Sequence, residues 1–169
     1  ENLKLRKGKY ILKTISTSGD EKYKDINSII KLIDWSKDKD EAEGILSNPD
    51  IKLVTMTITE SGYYINEKNK LNLNLELIKN NIQGKENNII YSFLMAALKK
   101  RMLSINKKIT LLCWDNIREN GKMLQDCLKQ YLSASKEYDL LEWIEENVSF
   151  PSCVVDRITP RTPEFLKSD

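Results

Sequence analysis

The spacing of hydrophobic positions changes several times along the chain. Apolar runs of strand length alternate with segments in which apolar residues recur at every third or fourth position. A short apolar run is typical of a buried strand, whereas the longer repeat is typical of a helix with one buried face. Strands that alternate with helices form a mostly parallel sheet with crossover helices. The pattern therefore predicts an α/β fold in which helices flank the sheet.

The strand candidates differ in how strongly their residues predict a strand. Residues 51–59 are the clearest, because they are mostly β-branched or aliphatic, as a strand buried on both faces requires. Val154 and Val155 predict a short last strand that closes at Thr159-Pro160. The remaining apolar runs of this kind are Tyr10–Ile15, 26–35 and 109–114.

Helical repeats account for most of the rest of the chain. Residues 38–46 predict a short helix that ends before Asn48-Pro49, and residues 89–101 repeat at every fourth position, which predicts a packing helix. The polar stretch 61–88 predicts a long excursion at the sheet edge. Two further helices are predicted from the apolar positions Met123, Leu124, Cys127, Leu128, Tyr131 and Leu132, and from Leu140, Leu141 and Ile144.

Composition narrows the class of protein. A length of 169 residues is enough for one domain with a hydrophobic core. The formal net charge of +2 is too small to indicate a nucleic-acid partner, and the Lys-rich stretches 4–13 and 99–108 are interpreted as solvated faces. No apolar run reaches the roughly 18 residues of a membrane span, and the first residues do not resemble a secretion signal. We therefore expect a cytoplasmic protein with neither a nucleic-acid nor a membrane partner.

Several chemistries are excluded by residue types or motifs that the sequence lacks. It contains no histidine, which removes the commonest general base, the commonest zinc ligand and the usual partner of a nucleophilic Ser or Cys. No two glycines have the spacing of a GxGxxG or P-loop motif. Cys113, Cys127 and Cys153 are far apart, which predicts reduced, buried thiols. No metal site is expected.

Polar residues that follow two of the predicted strands are candidate site residues, because ligands of open α/β sheets bind beyond the carboxyl ends of the strands. Thr59, Glu60 and Ser61 follow the first of these strands, where an ordinary turn is the alternative. Asn116 follows the second, where its amide could stabilise negative charge on a carbonyl oxygen or cap a helix. For Asn120 we expect capping.

A third candidate position is Asp156-Arg157, which follows the last predicted strand. The pair could bind sugar hydroxyl groups. The alternative is a simple ion pair between the two side chains, which is the commoner arrangement.

Three blocks of sequence occur in an order that is more specific than any one of them. They are VTMTITESGY at 54–63, LLCWDNIRENG at 111–121, and WIEENVSFP at 143–151 running into VDRITP at 155–160. Together they closely resemble the mannitol dehydrogenase family of long-chain polyol dehydrogenases. The likeness also reaches KGKY at 7–10 and Asn48-Pro49, so it covers nearly the whole chain.

The resemblance implies a Rossmann-type domain that uses NAD or NADP, without a metal, to interconvert a polyol or a sugar acid with its ketose. It implies that Thr59, Glu60 and Ser61 bind the cofactor near its nicotinamide end. Asn116 would be catalytic and would hold the substrate oxygen at the reacting carbon. Asp156 and Arg157 would contact the substrate.

The family's other motifs are expected outside this sequence. The glycine-rich dinucleotide motif would precede Glu1, and the catalytic K-x4-N-x2-H motif would follow in a helical domain. We therefore expect residues 1–169 to be a partial N-terminal dinucleotide-binding domain, incomplete at its N-terminus and inactive without the C-terminal helical catalytic domain.

The substrate and two alternative functions stay open. DNIRENG at 115–121 is most similar to fructuronate reductases, whereas ITP at 158–160 is equally similar to mannitol 2-dehydrogenases. The chain could also be a remnant that binds nucleotide without catalysis, or a structural domain that binds none.

Overall fold

The computed structural model describes residues 2–155. They form two compact units, one ending at Ala42 and the other beginning at Glu43. Asp156, Arg157 and the expected strand end at Thr159-Pro160 lie outside the described residues. Within residues 2–155, no helix has both the length and the apolar character needed to cross a membrane.

The first unit contains a β-hairpin. A short helix, α1 (Asn2–Leu5), precedes the antiparallel strands β1 (Tyr10–Ile15) and β2 (Glu21–Ile26). The expectation of a strand at Tyr10–Ile15 is confirmed, but this strand belongs to the hairpin and its side chains are exposed. The apolar run 26–35 contributes only its first residue to a strand, because the partner of β1 is the largely polar segment EKYKDI.

The second unit is built on a parallel sheet of three strands. In spatial order these are β3 (Leu53–Met56), β4 (Ile109–Cys113) and β5 (Val148–Ser149). The expected parallel sheet and the strand at 109–114 are confirmed, and β4 lies at the centre. The last strand lies at Val148–Ser149, so the expectation of a strand at Val154 and Val155 is wrong.

The strand predicted at 51–59 is shorter and more exposed than expected. Only Leu53–Met56 is extended in the sheet, and its side chains alternate between exposed and half-buried positions. Leu53 keeps 53% of its surface exposed. Among the described strands β3 pairs with β4 alone. Because its side chains are exposed or half-buried, the expected burial on both faces is wrong.

Helices supply most of the buried surface of the second unit. The boundary between the units falls within helix α2 (Lys39–Gly44), which continues into a 3-10 helix, Ile45–Ser47, and confirms the helix expected at 38–46. The polar excursion 61–88 contains a helix that was not predicted, α3 (Glu76–Ile82). The other predicted helices are confirmed as α4 (Ile90–Ser104), α5 (Asn120–Ala134) and α6 (Tyr138–Asn147).

The hydrophobic core lies between the sheet and helices α4, α5 and α6. Leu111 on β4 and the stacked rings of Tyr91 and Tyr131 are fully buried, with 5.8 Å between the ring centroids. Burial of this kind is the largest favourable contribution to folding. The core therefore fixes the position of β4 and of the loops that leave its carboxyl end.

Arg101 is a buried cation in α4. Its guanidinium donates to the carbonyl oxygens of Lys107 at 2.7 Å, Leu46 at 2.5 Å and Lys108 at 2.9 Å. Burial lowers the pKa of this guanidinium, which still remains charged at neutral pH. The interpretation of 99–108 as a solvated face is therefore wrong at Arg101, which ties the end of α4 to the turn before β4 and to the 3-10 helix.

We expect Arg101→Met to lower the free energy of unfolding by about 2–4 kcal/mol, because it leaves the buried carbonyl of Leu46 and the partly buried carbonyls of Lys107 and Lys108 without donors. Urea denaturation measures this change. Lys122→Met, at an exposed position of α5, is the control and should change stability by less than about 0.5 kcal/mol. Equal stability of the two variants would contradict the role given to Arg101.

Candidate functional site

The carboxyl ends of β3 and β4 meet at one edge of the sheet. The amide of Trp114 donates to the carbonyl of Met56 at 2.7 Å, just beyond the last pair of the ladder. The chain leaves β3 through a 3-10 helix, Glu60–Tyr63, and leaves β4 through a loop that leads into α5. The segments that carry Thr59 and Asn116 therefore begin side by side, as the parallel sheet predicts.

Asp115 joins these two strand ends. Its Oδ1 accepts hydrogen bonds from the amides of Ile58 at 2.7 Å and Thr59 at 3.1 Å, and its Oδ2 accepts one from the Tyr63 hydroxyl at 2.7 Å. Only 5% of Asp115 is exposed. Because all three partners donate, the arrangement suits an ionised carboxylate, which only accepts. Burial, followed by the Cys113 thiol and the Asp115 carboxylate, raises the pKa of Tyr63 well above its usual value.

The turn after β3 has a strained backbone. Thr59 has φ 66° and ψ 157°, a conformation that costs a β-branched residue about 1–3 kcal/mol. Thr59, Glu60 and Ser61 have exposed side chains, and the Thr59 and Ser61 hydroxyl oxygens are 3.5 Å apart. The backbone of the turn is thus anchored by Asp115 while its polar side chains are accessible to a ligand.

An open cavity of about 330 Å³ lies beside the loop that follows β4. Its size falls within the roughly 300–1,000 Å³ of small-molecule sites. Residues 115–119, which include Asn116 and the charged Asp115, Arg118 and Glu119, line one part, and residues 152–155 line another. A polar ligand in this cavity would meet the exposed Asn116 side chain.

Asn120 holds the two walls of this cavity together. Its fully buried amide donates to the carbonyls of Asp115 and Cys153, both at 2.9 Å, and its Oδ1 accepts from the Cys153 amide at 3.1 Å. Glu119 occupies the N-cap position of α5, with no capping hydrogen bond from its side chain. Asn120 is therefore not the N-cap residue that the sequence predicted, although its Oδ1 also accepts from the Gly121 amide in the first turn of α5 at 2.8 Å.

Gly121 allows the segment after β5 to approach α5. A Cβ at this position would lie 2.5 Å from the Phe150 carbonyl oxygen and would also overlap that of Pro151. Backbone atoms cannot move aside as easily as a flexible side chain. The glycine is therefore needed where the segment 150–153 crosses the start of α5.

The cysteines are free thiols, as the sequence predicts, and two of the three are buried. Burial raises the pKa of Cys113 to about 11 and also raises that of Cys127. Cys153 is half-buried, lines the cavity, and donates through its thiol to the Cys113 carbonyl at 2.8 Å. The cavity therefore has one accessible thiol in its wall.

The structure places the predicted site residues in two neighbouring segments. Thr59, Glu60 and Ser61 lie in the turn after β3, and Asn116 lies in the loop after β4, where it lines the cavity. The ligand roles of these residues, and those of Asp156 and Arg157, remain predictions. Sequence reasoning missed the bridging roles of Asp115 and Asn120, since its only signal for Asp115 was an acid directly after an apolar run.

Comparison with known proteins identifies the fold. A model of the mannitol dehydrogenase Rossmann domain matches residues 1–169. The chain belongs to the mannitol dehydrogenase family. The expected family and Rossmann-type fold are both confirmed, and the parallel order β3–β4–β5 is the part of that fold which the described residues contain.

Three relatives in this family cover most of the chain. D-arabinitol 4-dehydrogenase of Klebsiella pneumoniae is 35% identical over 91% of this chain and 34% of its own length. Mannitol 2-dehydrogenase of Aspergillus clavatus is 33% identical over 81% of this chain and 28% of its own length. The solved Pseudomonas fluorescens mannitol 2-dehydrogenase, a ternary complex with NAD and D-mannitol, has a TM-score of 0.82 and 27% identity over 99% of this chain and 34% of that one. The chain thus spans about a third of the length of these relatives.

We expect Gly121→Ala to destabilise the second unit by about 1–3 kcal/mol, since the new methyl group overlaps backbone carbonyls. Gly44→Ala is the matched control, because the space around Gly44 is open and its backbone is helical. Its stability should be unchanged or up to about 1 kcal/mol higher. Chemical denaturation of both variants measures the difference, and a stable Gly121→Ala protein would contradict the close approach.

We expect Cys153 to react first with a thiol reagent at neutral pH, because Cys113 and Cys127 are buried and their pKa values are raised. Peptide mapping after brief alkylation of the folded protein measures the order of reaction. Denaturant should expose all three thiols, and Cys153→Ser should abolish the fast modification. Early labelling of Cys113 in the folded protein would show that the cavity wall opens.

Proposed function

We propose that this chain is the dinucleotide-binding part of an NAD(P)-dependent dehydrogenase that interconverts a polyol with its ketose by hydride transfer. One observation carries the proposal: the exposed turn Thr59–Ser61 and the cavity residue Asn116 leave neighbouring parallel strands at one edge. In open α/β sheets this edge is where cofactor and substrate meet.

The residues of the turn fit the nicotinamide end of a dinucleotide. Thr59 and Ser61 offer hydroxyl groups and Glu60 offers a carboxylate, all on exposed side chains above an anchored backbone. These groups would accept from or donate to ribose hydroxyls and the carboxamide. When bound, the nicotinamide ring accepts or supplies the hydride. The NAD complex of the Pseudomonas fluorescens relative, at a TM-score of 0.82, supports this assignment.

Asn116 is proposed to act on the substrate side. Its amide would donate a hydrogen bond to the oxygen at the reacting carbon, where negative charge grows as the hydroxyl proton leaves. Asp156 and Arg157 are proposed to bind further oxygens of the substrate. The proton acceptor is proposed to be a lysine of the helical domain that the family resemblance implies, so turnover is proposed for the whole protein and not for residues 1–169 alone.

A neutral polyol is favoured over a sugar acid as the substrate. The cavity lining carries one cation, Arg118, and two carboxylates, those of Asp115 and Glu119, so it does not favour an anionic substrate. The names of the relatives, D-arabinitol 4-dehydrogenase and mannitol 2-dehydrogenase, point the same way. Reduction of fructuronate is the second candidate, favoured by DNIRENG at 115–121. A cytoplasmic location remains a prediction from composition.

The test uses the protein expressed from its native gene. We expect NADH or NADPH fluorescence to change on binding, and D-mannitol or D-arabinitol to be oxidised with NAD or NADP. Asn116→Ala should lower kcat roughly 10²–10³-fold with little change in cofactor affinity, because the lost donor acts mainly on developing charge. Asn74→Ala, at an exposed position outside the cavity lining, is the control.

Two results would overturn this proposal. Cofactor binding without turnover of polyols, ketoses or fructuronate would identify a non-catalytic nucleotide-binding remnant. Absence of binding to either cofactor would identify a structural domain. Turnover of fructuronate alone would replace the polyol with the sugar acid.

A further inference from the structure

Asp115 and Asn116 are adjacent and both line the cavity, but they differ in exposure. Asp115 is only 5% exposed and its carboxylate bonds the exit of β3, whereas the Asn116 side chain is exposed. Two consecutive residues therefore contact the two parts of the proposed site. The planar peptide between them holds their Cα atoms about 3.8 Å apart.

The hydrogen bonds of Asp115 hold the segment 58–63 at both ends. Its carboxylate holds the amides of Ile58 and Thr59 at the start of the turn and the hydroxyl of Tyr63 at its end. The Tyr63 carbonyl accepts a further hydrogen bond from the Tyr91 hydroxyl of α4 at 2.9 Å. Both ends of the turn are thus fixed to the core, while its side chains remain exposed.

The carboxylate also maintains an unfavourable backbone conformation. Thr59 has a positive φ of 66°, a conformation that is unfavourable for a residue with a branched Cβ and persists only where the surroundings restrain it. The hydrogen bonds that the Asp115 carboxylate accepts from the amides of Ile58 and Thr59 supply this restraint. A charged acceptor holds amides more strongly than a neutral one.

Burying a carboxylate is costly unless its oxygens are satisfied. Within residues 2–155, the partners of the Asp115 carboxylate are two main-chain amides and one phenol, all of which lie in the segment 58–63 that contains the turn. Its main-chain carbonyl accepts from Asn120, which also holds the cavity segment at Cys153. The residue therefore connects the turn, the loop after β4 and the far wall of the cavity.

We infer that Asp115 is a positioning residue that sets the geometry between the cofactor-facing turn Thr59–Ser61 and the substrate-facing Asn116. The inference rests on the proposed function of this edge as the site where cofactor and substrate meet. Both carboxylate oxygens of Asp115 have partners within residues 58–63 and only 5% of the residue is exposed, so Asp115 acts by holding the turn. Binding of the cofactor would then depend on a residue that does not touch it.

The first measurement needs no ligand. Amide hydrogen exchange in Asp115→Ala should accelerate at Ile58 and Thr59 by about tenfold or more relative to wild type, since those amides lose their acceptor. Asp115→Asn should show a smaller increase, because its side-chain carbonyl still accepts. Tyr63→Phe, which removes only the hydroxyl donor, should leave the exchange of both amides near the wild-type rate.

The second measurement is NADH affinity of the protein expressed from its native gene. We expect Asp115→Ala to weaken NADH binding roughly tenfold or more, since misplacement of a contact by about 1 Å is enough for such an effect. Asp115→Asn should recover part of the loss. Asn81→Ala is the matched control. Asn81 is also buried, and its side chain makes three hydrogen bonds, all of them with Leu77 and Asn88.

The outcomes separate this inference from the proposed function. If wild type fails to bind NADH, the proposed function is wrong, and the exchange data alone then decide whether Asp115 anchors the turn. If Asp115→Ala exchanges and binds like wild type, Asp115 does not position the site. Equal losses of affinity in Asp115→Ala and Asn81→Ala would also overturn the inference, because they would reflect general destabilisation. Should Asp115→Ala not fold, Asp115→Asn and Tyr63→Phe carry both measurements.

Discussion

The carboxylate of Asp115 bonds the amide of Thr59 across 56 residues of sequence, and the arrangement of the strand edge depends on it. On one side it fixes the turn after β3, and on the other its carbonyl reaches α5 through Asn120. Local contacts cannot produce this geometry, since the two strand ends become neighbours only when the sheet forms. The site is therefore a property of the assembled domain, with its strain at Thr59 offset by charge-assisted hydrogen bonds.

Elements with a regular burial pattern could be predicted from the sequence. Strand β4 buries alternate residues, and helices α4, α5 and α6 bury every third or fourth residue. The periodicity of apolar positions was therefore sufficient to predict these elements. The α/β class followed from these elements, whereas the Rossmann type followed from the family resemblance carried by the three sequence blocks. The positions of Thr59 and Asn116 at one edge followed from the parallel sheet.

Features that depend on non-local pairing could not be predicted. Strand β5 has two residues and is defined only by its register with Ile109 and Thr110, while β2 is too polar to suggest a strand. The burial of Arg101 depends on carbonyl groups brought together by folding. In the sequence, an acid that follows an apolar run does not reveal whether it ends a turn or connects two strands, so the role of Asp115 was missed.

The central place of β4 also affects how the chain folds. Strand β4 pairs with β3 on one side and on the other with β5, which begins only at Val148. Until β5 adds to the sheet, one edge of the aliphatic segment ITLLC has no partner, and such an edge readily pairs with a second chain. Pairing between two chains is second order in protein, whereas pairing with β5 is first order, so the recovery of soluble protein on refolding falls as the protein concentration rises.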